Sequence, residues 1–124
     1  MFAMKHDLTY NDLFIIEQDI ARQMQQSPAF RLFNYAKIQL FYQQAQPHLD
    51  RFQEMLQLIK DKYIDKDANG NYLQEQTPNG KKWKFKHTVS DIKTASILIG
   101  DKIIEAYERE CTEAGRLGHV TITF

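Results

Sequence analysis

The chain is poor in the residues that staple or punctuate a fold. Its single cysteine, Cys111, excludes an intrachain disulfide and fits a reducing compartment. Three prolines and five glycines in 124 residues leave little room for a linker or a low-complexity tract. Long apolar runs are missing too. The longest, residues 13–16 and 97–99, fall far short of the ~20 needed to span a bilayer as a helix. Residues 1–7 include Lys5 and His6 and lack an apolar signal core, so secretion is not expected. Charge of either sign is not in excess: sixteen basic and sixteen acidic residues cancel. That balance argues against a dedicated nucleic-acid binder and weakens the repulsion between copies.

What is present is apolar periodicity. At 43% hydrophobic and 26% charged, the composition is that of an ordinary globular chain. One domain, 1–124, is expected from the length. Residues 27–64 read as one long helix. Ser27 is its N-cap and Pro28 occupies its first position. Along it Tyr35, Ile38, Tyr42, Ala45, Leu49, Phe52, Leu56, Ile59 and Tyr63 alternate at spacings of three and four, a coiled-coil seam. The seam keeps phase across Pro47, which predicts a kinked but continuous helix. A second row, Phe30, Phe33, Ala36, Leu40 and Phe41, covers only its first half.

Before this helix, residues 1–8 read as a short strand, with Phe2, Met4 and His6 on one face. Thr9 and Asp12 form a capping box for a first helix over about 10–25. After it, residues 65–86 lose the helical period. Two Asn-Gly pairs, Asn69-Gly70 and Asn79-Gly80, predict a small β-hairpin or three-stranded meander. Thr88 and Asp91 read as another capping box, opening a last helix to about Ala114. Its stripe is Ile92, Ala95, Ile99, Ile103 and Ala106. Gly100 weakens this helix, and Gly115 or Gly118 stops it. Val120, Ile122 and Phe124 alternate with threonines in a terminal strand that can pair with residues 1–8. The expected fold is mainly α: an antiparallel helical hairpin with a small β-hairpin tip, a short N-terminal covering helix and short strands at the termini.

The order of elements, with Asp67-Ala68-Asn69-Gly70-Asn71, Asn79-Gly80 and the alternating 120–124 segment, resembles a family of small, uncharacterised proteins of tailed bacteriophages and prophages. The resemblance implies a phage origin and transfers no activity and no catalytic residue. Richness in aromatics and glutamine along the long helix points to a contact surface particular to this chain.

Candidate chemistry is sparse. Asp65-x-Asp67-x-Asn69-Gly70-Asn71 has the spacing of an EF-hand loop, but position twelve is Gln76 where a bidentate glutamate belongs. An Asx-type turn is the simpler reading of residues 65–76. Lys81, Lys82, Lys84 and Lys86 with Trp83 and Phe85 form a possible nucleic-acid platform, or else a two-faced strand with solvated lysines. His6, His48, His87 and His119 are dispersed. Glu17 and Asp19 read as solvated carboxylates, and Cys111 as a structural thiol.

The expectation is therefore a non-catalytic protein without cofactor or metal. It works by protein–protein contact in a structural or assembly role around the virion, and it self-associates as a homo-oligomer. The expected interface is Tyr35, Ile38, Phe41, Tyr42, Leu49 and Phe52, with Gln43, Gln44 and Gln46 as a polar rim. The partner would be a second copy, a virion component or a host factor, met in the host cytoplasm or on the virion. A first alternative is an inhibitor of a host antiviral protein. A second is a nucleic-acid-associated protein using Lys82, Trp83, Lys84 and Lys86.

Overall fold

A computed structural model describes residues 5–123. The expected face of Phe2 and Met4 and the last position, Phe124, lie outside the described residues. Helices make up more than half of those described, so the chain is mainly α.

Strand β1 (Lys5–Thr9) leads directly into helix α1 (Tyr10–Gln26). The capping box is formed: the Asp12 N–H donates to Thr9 Oγ1 at 3.1 Å, and the Thr9 N–H donates to Asp12 Oδ2 at 3.0 Å. Helix α2 (Pro28–Phe33) begins as expected, with Ser27 Oγ accepting from the Phe30 N–H at 3.4 Å. It does not continue into the long helix. Asn34 leaves the helical region (φ −112°, ψ 14°), and both its backbone N–H and its Nδ2 donate to the Phe30 carbonyl at 3.0 Å. An amide side chain that competes for the helix's own carbonyl ends α2 after six residues. Helix α3 (Tyr35–Tyr63) then runs through Pro47 without a break. Pro47 and Gln43 are both exposed, so water can meet the carbonyl that proline leaves without an N–H.

After α3 the chain forms an isolated bridge at Ile64–Phe85 and another at Lys66–Tyr72. Between them, Asp67 Oδ1 accepts from the N–H groups of Asn69 (2.8 Å) and Asn71 (3.0 Å), with Gly70 at φ +83°. This is the Asx-type turn, with a carboxylate oxygen committed to the backbone. Strands β2 (Gln74–Thr77) and β3 (Gly80–Trp83) make the expected hairpin around Pro78 and Asn79.

The last helix is much shorter than the spacing predicts. Residues 88–99 form a second hairpin, β4 (Thr88–Asp91) and β5 (Ser96–Ile99), with Val89 opposite Leu98 and Ser90 opposite Ile97. Thr88 and Asp91 are not a capping box. Asp91 turns its carboxylate the other way: Oδ1 accepts from the Lys93 N–H at 3.1 Å and Oδ2 from the Thr94 hydroxyl at 3.0 Å. Both contacts hold Asp91 well below the usual carboxylate range, the Thr94 hydroxyl most of all. Ile92, Ala95 and Ile99 are therefore exposed hairpin residues, not a helical stripe. Gly100, at φ +60°, turns the chain from β5 into helix α4 (Asp101–Leu117). Gly115 lies inside α4, and Gly118 follows its end. Strand β6 (His119–Thr123) pairs antiparallel with β1, with Leu8 opposite Val120 and His6 opposite Ile122.

The chain sorts into two compact units, and the divisions fall within α3 and α4. One unit holds residues up to Glu54 and from Glu113 onward. Its core includes Leu13, Phe41, Ala45, Leu49, Phe52, Val120 and Ile122. Here α1, α3 and α4 meet at Gly115: a Cβ built there would lie 3.1 Å from Asn11 Cβ and 3.5 Å from Phe52 Cζ. Tyr10 and Phe14 place their rings 5.8 and 6.3 Å from that of Phe52. The other unit, Met55–Thr112, is built on Tyr63, Val89, Ile103 and Ala106, with Ile59, Phe85, Leu98 and Tyr107 packed against them.

Candidate interaction surface

Half of the expected interface lies inside the protein. Phe41, Leu49 and Phe52 are almost wholly buried in the core of their own unit, so they cannot meet a partner without unfolding it. From Ala45 onward the seam is the side of α3 that the chain itself covers: Ala45, Leu49, Phe52 and Tyr63 are buried, and Leu56 and Ile59 half-buried. Near the start of α3 it is Phe41, and not Tyr42, that enters the core. A long seam left open for a second copy is thus absent from the described residues.

What remains exposed is the region around the Asn34 break. Leu32 is 75% exposed and Phe33 82%, and Tyr35 is also exposed. Further along α3, Ile38, Gln39, Tyr42, Gln43 and Gln46 line a shallow groove. Gln39 Nε2 donates to the Tyr35 hydroxyl at 2.7 Å and orders this strip. Burial, and then the nearby Glu17 carboxylate, push the Tyr42 phenol up, so it stays a neutral hydroxyl. Of the expected interface residues, Tyr35 is exposed and Ile38 and Tyr42 are half-buried. Gln44 does not belong to the rim. Its amide is held by Thr123: Nε2 donates to the Thr123 carbonyl and the Thr123 N–H donates to Oε1, both at 2.8 Å. Asp19 pairs with Arg22 and Gln23 on its own helix.

The lysine-bearing segment is largely engaged within its unit. Lys86 Nζ donates to the Asp61 carbonyl in the last turn of α3 at 3.0 Å, where a cation suits the negative helix end. Lys82 stands opposite Glu75 in the hairpin register. Trp83 is half-buried, with its ring 6.0 Å from Tyr72 and the Lys60 ammonium 5.1 Å from its centroid. Lys84 is half-buried, and its backbone pairs with Asp65 and Leu73. An aromatic held between a lysine and a tyrosine is a poor stacking platform for a base. Asp61 accepts from Lys66 at 2.6 Å and from the Tyr72 hydroxyl at 2.5 Å, contacts that hold its carboxyl low.

Lys62 pairs with Glu110 at 3.3 Å. Burial pushes the Cys111 thiol up, against a hydrogen bond with Tyr107, so the thiolate needed for nucleophilic chemistry is disfavoured. Burial likewise pushes Tyr107 up to about 12, with Cys111 adding to the shift. Among the described residues, no group of three or more His, Cys, Asp or Glu side chains could hold a metal ion. No helix of the described residues is long and apolar enough to cross a membrane.

Sequence reasoning missed one surface altogether. On the second hairpin Val89 and Leu98 point into the core, so the alternate residues point outward. Ile97 is 71% exposed and Ile99 61%, and Ile92 in the connecting turn is 88% exposed. The short apolar run at residues 97–99 was the available signal. The helical period of the same isoleucines concealed it.

No family model, no curated protein and no solved structure matches this chain.

Proposed function

We propose that this is a phage-encoded, non-catalytic protein–protein interaction protein with a structural or assembly role. On this reading it docks its partner through the exposed apolar corner at the α2–α3 break. The observation that carries the reading is that Leu32 and Phe33 stand mostly in water beside exposed Tyr35, while the other aromatic rings among the described residues are buried or half-buried. Adjacent exposed apolar side chains of this size, followed along α3 by a groove that Gln39, Gln43 and Gln46 help to line, have the make-up of an interface core with its rim. The phage origin rests on the resemblance in element order. Antiparallel pairing of α3 with α4 belongs to the same reading. It is supported by the approach of Phe52 to Gly115 in one unit and of Lys62 to Glu110 in the other. A host antiviral protein as the partner would use the same corner.

Capture from a lysate of phage-infected bacteria tests the reading. The intact chain should retain a defined partner, and a Leu32→Lys/Phe33→Lys variant of unchanged melting temperature should lose it. A Lys82→Ala/Lys84→Ala variant should capture the partner as well as the intact chain does. Equal capture by the Leu32/Phe33 variant would refute the docking corner. Salt-sensitive capture of nucleic acid, lost in the lysine variant, would favour the nucleic-acid reading.

A further inference from the structure

We propose that the outward face of the β4–β5 hairpin is a homodimer interface, packed face to face on the same hairpin of a second copy. The inference rests on reading the chain as an interaction protein but uses a surface remote in sequence from the α2–α3 corner. The hairpin has a core side, Val89 and Leu98, and an outer side, Thr88, Ser90, Ile97 and Ile99, with Ile92 following at the turn. Natural two-stranded ribbons usually place polar or charged residues on a water-facing side. Here the three isoleucines, at 88%, 71% and 61% exposure, amount to about two fully exposed side chains. That is roughly 400 Å² of apolar surface on a very small hairpin, enough to mark a contact site.

The area fits a second copy. A standard interface covers roughly 800 Å² on each partner, and homodimer interfaces are about two-thirds apolar, so ~500 Å² of apolar surface per copy is needed. The three exposed isoleucines supply most of it, and Ile104 on α4 is the next exposed large apolar residue along the chain. Two ribbons facing one another at the usual ~10 Å interdigitate their outer side chains. Thr88 and Ser90 are small enough to receive isoleucines from the opposite copy. The charged residues next along the chain are also compatible with symmetry. Lys93 stands at the turn end, and Asp101, Lys102 and Glu105 at the base, two of each sign. The whole chain has a formal net charge of zero, so repulsion between copies is weak.

Sedimentation equilibrium over a concentration series, on the full chain, tests this. The expected result is a reversible dimer whose dissociation constant rises at least tenfold in Ile97→Lys/Ile99→Lys. Ile97→Thr/Ile99→Thr keeps the β-branched side chains a strand favours and removes much of the apolar surface, so it should weaken the dimer even if the lysine variant fails to fold. A Leu32→Lys/Phe33→Lys variant should dimerise normally. A wild-type chain that stays monomeric at hundreds of micromolar overturns the proposal and leaves the docking corner untouched. A dimer that both isoleucine variants leave intact and the Leu32/Phe33 variant splits also overturns it, because self-association would then belong to the corner.

Discussion

Gln44 and Thr123 hold each other by two hydrogen bonds, each 2.8 Å long, in which a side-chain amide takes both the N–H and the C=O of one strand residue. Gln44 stands in for the neighbouring strand that β6 lacks on this side. Replacing it by alanine leaves both backbone groups of Thr123 part-buried and unpaired. We expect Gln44→Ala to cost about 1–3 kcal/mol in urea unfolding. Gln44→Glu keeps the acceptor for the Thr123 N–H but turns an oxygen toward the carbonyl. Its deficit should shrink below the carboxylate pKa, where a protonated Glu can donate again. A cost below about 0.5 kcal/mol for the alanine variant would show that water replaces the amide without loss.

Gly118 has no room for a side chain. A Cβ there would lie 2.4–2.5 Å from three ring atoms of Tyr10, and the Tyr10 N–H donates to the Gly118 carbonyl at 3.0 Å. Gly118→Ala should destabilise by about 1–3 kcal/mol through overpacking. Tyr10→Leu removes part of the obstructing ring, so the two substitutions together should cost less than the sum of each alone. Strict additivity would mean that the ring already moves aside freely.

Alkaline pH should loosen the fold. Tyr107 is pushed up to about 12, and burial also raises Tyr42, Tyr63 and Tyr72. A tyrosine whose folded pKa lies above its unfolded value of about 10 binds its proton more tightly when folded. Its contribution is complete below pH ~10 and is lost as pH rises toward 12. With allowance for partial exposure, Tyr107 should account for a fall on the order of 1–2 kcal/mol between those values. Urea midpoints at pH 9 and pH 11 check the sign, and Tyr107→Phe should flatten the slope. A midpoint that does not fall would contradict the burial of these phenols.

Cys111 should react slowly while the chain is folded. Its thiol is raised by burial, with the carboxylates of Glu110 and Glu108 adding to the shift. Alkylation near neutral pH should therefore be slow and should speed up sharply in urea. Equal rates in both conditions would place the thiol in water.

Local chemistry was legible where one residue pair decides it. The Thr9–Asp12 box, Ser27 before Pro28 and the Asn79-Gly80 turn all appear where their chemistry puts them. So does the pairing of the terminal strands, which alternation in residues 120–123 anticipated. Two stretches were misread because one pattern served two structures. Phe30 to Leu40 keeps a helical period across Asn34, and nothing in the spacing reveals an amide that bonds back to Phe30. In residues 88–99, Ile92, Ala95 and Ile99 satisfy a helical period at steps of three and four, while Ile97 and Ile99 stand two apart as in a strand. The Asp91 carboxylate settled the matter by bonding forward to Lys93 and Thr94. The burial of the expected interface residues was only half legible, for a related reason. A seam shows which side of a helix is apolar, but the structure had to show that Phe41, Leu49 and Phe52 face their own core while Phe33 does not.

Photo-crosslinking from the proposed docking corner at α2–α3 is its most direct test. A benzophenone amino acid at position 33, in otherwise intact chain expressed during infection, should give one dominant covalent adduct with a partner. The same probe at Glu54, exposed on α3 away from the break in sequence, should give little. Adducts from position 54 as abundant as those from position 33, or none from position 33 when the chain is abundant, would contradict the account.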